Sequence, residues 1–60
     1  GEISNFKRHY TGHLYYILGE YEKAYSIWCE IAETLTNKGY VIEAQMPKQH
    51  AKTCLERINL

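Results

Sequence analysis

The chain lacks an excess of charge of either sign. Its seven lysines and arginines balance seven acidic residues, and the two signs are interspersed. A nucleic-acid-binding domain of this size would concentrate basic residues on one face, so no nucleic-acid partner is expected. Long apolar runs are lacking too. None approaches the roughly 20 residues that span a bilayer, and no signal peptide is visible, so the expected setting is cytoplasmic, with no membrane partner. Cysteine is scarce. Cys29 and Cys54 lie inside helical patterns, without the dense spacing of a secreted disulfide scaffold. Two reduced, largely buried thiols are expected, with a Cys29–Cys54 disulfide as the alternative. There is no glycine-rich phosphate loop, and nothing orients a histidine for Cys–His catalysis. No enzyme activity and no cofactor are expected.

What is present is a small helical domain. Ordering each residue costs about 1.5 kcal/mol, so a chain of 60 residues has little margin and calls for a staple, a partner or further copies. The 45% of hydrophobic residues include six tyrosines, whose hydroxyls suit half-wet surfaces.

Periodicity predicts three helices. The first runs from about Asn5 to Leu18, capped by Ser4 or Asn5 and stapled by Ile3. Phe6, Tyr10, Leu14 and Ile17 form its apolar stripe, widened by Tyr15 and Leu18. Gly12 interrupts this helix at a cost of about 1 kcal/mol against alanine. An interior glycine implies close approach by a neighbour, and the candidate is Trp28. Gly19 ends the first helix. The second presents Tyr21, Ala24, Trp28, Ile31 and Leu35 on one face, flanked by Ile27 and Ala32. Glu22, Lys23, Ser26, Glu30 and Glu33 form its wet face. Lys38 and Gly39 close it. So short a link forces an antiparallel hairpin. Ala51, Cys54, Leu55 and Ile58 mark a third helix, with residues 40–46 also helical and a kink or break expected at Pro47. The fold class is all-α: one domain over 1–60, built as a helix–turn–helix hairpin plus a third helix.

The run Gly12-x2-Tyr15-x3-Gly19-x-Tyr21-x2-Ala24-x3-Trp28 resembles a tetratricopeptide repeat, a helical hairpin of about 34 residues. The resembling unit covers 5–38, and 39–60 then corresponds to the capping helix that ends such arrays. Arg8, Thr11 and Thr36 depart from the family's tryptophan, leucine and closing proline. The resemblance implies a scaffold that binds protein, as part of a larger chain or as a self-associating domain, because about three stacked units are needed for stability. It further implies a concave groove lined by first helices, here by Phe6, His9, Tyr10, His13 and Tyr16, receiving a peptide or a partner helix. The lysine–asparagine clamp for a peptide carboxylate is missing.

A second constellation competes with this reading. His9 and His13, and likewise His50 and Cys54, are four residues apart and share a helix face. Together they offer four nitrogen and sulfur ligands, as many as a structural zinc takes. The alternative function is therefore a small zinc-stapled helical domain.

Overall fold

In the computed structural model, which describes the backbone from Glu2 to Leu60 and side chains from Lys7 onward, three helices follow one another. They are α1 (Glu2–Ile17), α2 (Tyr21–Asn37) and α3 (Val41–Ile58). The all-α class and the hairpin plus third helix are as expected from the periodicity.

Helix α1 starts earlier than expected, at Glu2, so Ser4 and Asn5 lie inside it rather than capping it. The staple by Ile3 and the position of the Phe6 side chain fall outside the described side chains.

The two turns are built alike. Gly19 and Gly39 hold φ of 82° and 88°, left-handed values that glycine adopts without the Cβ penalty. In the first turn Glu20 N–H donates to the Tyr15 carbonyl (2.9 Å) and Gly19 N–H to that of Tyr16 (3.1 Å). In the second, Tyr40 donates to Leu35 (2.9 Å) and Gly39 to Thr36 (3.0 Å). These paired bonds satisfy helix carbonyls that otherwise lack donors, the Schellman arrangement. The residue after each glycine has nearly the same conformation, φ −85°, ψ 65° at Glu20 and φ −88°, ψ 66° at Tyr40. Five residues beyond each glycine stands a fully buried alanine, Ala24 or Ala44.

Helix α2 is the centre. It packs on both neighbours, burying Ala24, Trp28, Ile31 and Ala32. Tyr21, Ile27 and Leu35 are half-buried, and the five residues expected to be wet are exposed. Helix α3 turns Ala44, Pro47, Ala51 and Cys54 inward at spacings of three and four, one stripe of a helix. The expected break at Pro47 does not occur: α3 is continuous from Val41 to Ile58. The ring costs a helix about 3 kcal/mol, but Pro47 belongs to the buried stripe, so its packing offsets part of that loss. Leu55, expected in this stripe, is 41% exposed.

The largest difference from expectation concerns α1. Tyr10, Leu14, Ile17 and Leu18 point away from α2, with exposures of 65%, 40%, 78% and 64%. The inward face carries Gly12 instead, with His9, Tyr15 and Tyr16 half-buried beside it. Steric fit explains the inversion. An indole needs room that only the glycine face of α1 provides.

Candidate functional site

Trp28 is the hub of the molecule. It is 1% exposed and lies on the backbone of α1 at Gly12, where a Cβ would stand 2.7 Å from its Cε2 and 2.9 Å from its Cζ2. The expected contact between Gly12 and Trp28 is therefore present, and it is closer than any side chain would allow.

The chain's three histidines all surround this indole. His50 from α3 stacks on it, with ring centroids 4.4 Å apart and planes inclined by 26°. His13 from α1 meets it edge-on at 4.9 Å, and His9, one turn earlier, at 5.5 Å. His13 and His50 also touch each other, at 5.1 Å, and so join α1 to α3 across the top of Trp28. Burial holds the His50 pKa below its ordinary 6.5, with further lowering from the charge on His13 and then on His9. The environment favours the neutral imidazole, since the charged form would lose hydration there.

A turn further along α1, Tyr16 packs edge-on against Tyr21 at 5.2 Å. Arg57 from α3 faces Tyr16, whose phenol oxygen favours the charged guanidinium and raises its pKa. On the flank of the hairpin, Arg8 pairs with Glu30, both half-exposed. Lys23 reaches Glu20 at 3.3 Å and lies over the Tyr15 ring at 5.6 Å.

The residues expected to bind a partner therefore divide. Tyr10 and His13 are exposed, whereas His9 and Tyr16 are half-buried and engaged with Trp28 and Tyr21. Phe6 lies outside the described side chains. Leu14 and Ile17 join Tyr10 on the outward face. On α3, Met46 stands one turn before His50 and is 67% exposed.

One sequence signal marks the outward face of α1. From His9 to Gly19 there is no charged residue, although exposed helix faces normally carry them. Nothing comparable announced that His50 would stack on Trp28, because its neighbours there come from other helices.

The ligand set drawn for zinc does not assemble. Among the described residues, no group of three or more His, Cys, Asp or Glu side chains is placed to hold a metal ion. His50 spends its ring on the indole, and Cys54 is fully buried below it. Both cysteines are free thiols, so the disulfide alternative is also not realised. Burial raises the Cys54 pKa, followed by the nearby charge of Cys29, and a thiol kept protonated is a poor nucleophile.

Elsewhere, Tyr25, Cys29, Ala32, Ala51 and Leu55 line an open groove of about 530 Å³ between α2 and α3, with Glu33, Lys48 and Lys52 also along it. Among the described residues no helix is long and apolar enough to cross a membrane. Compared with protein-family models, with curated proteins and with solved structures, the chain matches none.

Proposed function

We propose that this chain is a protein-interaction module of tetratricopeptide type, which docks an apolar peptide, a partner helix or a second copy along α1. The observation that carries the reading is the inverted helix. Along α1, from His9 to Gly19, no residue is charged, and Tyr10, Leu14, Ile17 and Leu18 are turned to solvent. Together they expose on the order of 500 Å² of largely apolar surface, the size at which a patch on a small protein marks an interaction site. That area falls short of the roughly 800 Å² per partner of a stable interface. Micromolar or weaker binding is therefore expected unless a partner also covers Met46 or Ile42 on α3, which are 67% and 77% exposed.

The resemblance to the repeat family supports the same reading through Gly12, Tyr15, Gly19, Tyr21, Ala24 and Trp28. The contact of Trp28 with Gly12 gives those two residues a packing role. The setting proposed is cytoplasmic, and no catalytic role is proposed.

The test uses the doubly substituted Tyr10→Ser, Ile17→Ser protein. Both side chains lie outside the core, so helicity by circular dichroism should be unchanged, as exposed substitutions usually alter stability by about 0.5 kcal/mol or less. A random peptide library panned on the immobilised wild type should yield apolar sequences that the variant fails to hold. Sedimentation from micromolar to millimolar concentration should show self-association of the wild type that weakens in the variant. Equal peptide recovery on both proteins, together with a monomer throughout, would overturn the proposal.

A further inference from the structure

We propose that the three histidines around Trp28 form an acid-sensitive latch, which holds α1 against α2 and α3 and releases it as the pH falls through the histidine range. The geometry carries this. The chain's only three imidazoles, the side chains whose ordinary pKa lies between pH 5 and 8, converge on one indole that is 1% exposed.

Their placement makes the latch act between helices rather than within one. His9 and His13 come from α1, Trp28 from α2 and His50 from α3. The His13–His50 contact at 5.1 Å is a direct side-chain bridge between the first and third helices. Neutral rings pack there as apolar discs. One proton on the cluster is tolerable, because an imidazolium facing an indole gains cation–π attraction. A second proton brings two like charges within about one ring's width of each other, with His50 half-buried and His13 at the exposed edge, well inside the roughly 10 Å over which salt screens such repulsion.

Among the described residues, the groups facing His50 offer no relief. From α1 they are His13 and His9, and both act on it as positive charges. The α2 group facing it is the uncharged indole. On its own helix Cys54 lies one turn on, a thiol that burial keeps protonated. Glu43 and Arg57 are two turns away in opposite directions, and Arg57 is engaged with Tyr16.

The sign follows from linkage. The folded state holds His50 neutral below its ordinary value of 6.5, whereas the released chain protonates it there. Below that pH the open form binds more protons, so stability is full above it and falls as the pH drops through it. The expected product is α1 detached and Trp28 uncovered on the glycine-facing side. This inference needs no partner and stands apart from the docking proposal.

The single tryptophan reports the event. Fluorescence of the purified chain from pH 8 to pH 5 should show a reversible transition centred between about pH 5 and 6.5. Its thermal midpoint should drop on the order of 5 °C between pH 7.5 and pH 5. His13→Gln keeps the stack and removes the nearest like charge, so its transition should move to lower pH. His50→Gln should flatten the pH dependence. In an NMR titration of the wild type, His50 should take its proton below its ordinary 6.5. A flat wild-type profile down to pH 5 would overturn the latch, as would an unshifted midpoint in His13→Gln. If His50→Gln fails to fold, the NMR titration decides, and a His50 midpoint at or above 6.5 sinks the proposal.

Discussion

Replacing Gly12 by alanine adds one methyl group, and the site has no room for it. The new carbon would stand 2.7 Å from Cε2, 2.9 Å from Cζ2 and 3.0 Å from Nε1 of Trp28, distances at which something must shift. A flexible side chain could swing aside. An indole that is 1% exposed, with His50 stacked on it at 4.4 Å and His13 against it at 4.9 Å, can yield only by moving the helices. Overpacking of this kind costs about 1–3 kcal/mol. Alanine's better helix propensity returns about 1 kcal/mol. The expected net loss is therefore about 1 kcal/mol, which in a domain of this size lowers the melting temperature by roughly 4–8 °C. A cycle with Trp28→Phe isolates the cause. Phenylalanine lacks the second ring, so in that background Gly12→Ala should become neutral or stabilising, with a coupling of about 1 kcal/mol or more between the sites. Melts followed at 222 nm measure all four corners. If Gly12→Ala stabilises the wild type, or is equally harmful with either aromatic, the account of this contact is wrong.

The two turn glycines should behave as a matched pair. At both positions an added Cβ meets nothing within 4 Å, so Gly19→Ala and Gly39→Ala should each cost about 1–2 kcal/mol through backbone strain alone. Urea titrations should show similar midpoint losses with unchanged slope, and a loss at one site only would show that the turns differ energetically. Pro47→Ala should stabilise the domain. It gives the Glu43 carbonyl back its donor and removes a helix penalty of about 3 kcal/mol, against roughly 1.5 kcal/mol for the ring carbons taken from the buried stripe. A lowered thermal midpoint would mean that the pyrrolidine contributes more packing than its size suggests.

The hairpin was legible because its signals are local. Glycines at 19 and 39, with periodic apolar residues between them, define helix ends and faces without reference to the rest of the chain. Gly12 was legible for the opposite reason: a residue that weakens its own helix points to a neighbour. The orientation of α1 was hidden because hydrophobicity and shape disagree there. Its apolar stripe would bury Tyr10, Leu14 and Ile17, but the bulk of Trp28 selects the face with the least side chain. Helix α3 was obscured by the smallness of its buried residues. Ala44, Pro47 and Ala51 carry little apolar area, and the proline signals a break that tertiary packing prevents. The imidazole cluster could not be read at all, since His50 and His13 are 37 positions apart and meet only after both turns close.

The repeated turn also bears on how quickly the chain finds its shape. Each turn reverses the backbone within three residues, and the substantial packing is between consecutive helices, α1 on α2 and α2 on α3. Loop closure is then about as cheap as it can be, and topologies dominated by such short-range contacts fold in microseconds to milliseconds. Because α2 is common to both hairpins, either one can form first and present a finished surface to the remaining helix. The contacts that must wait for both are the bridges between α1 and α3, His13 to His50 and Tyr16 to Arg57. These late, long-range contacts set how long α1 stays in place more than how fast it arrives, since interactions absent from a transition state act on the unfolding rate.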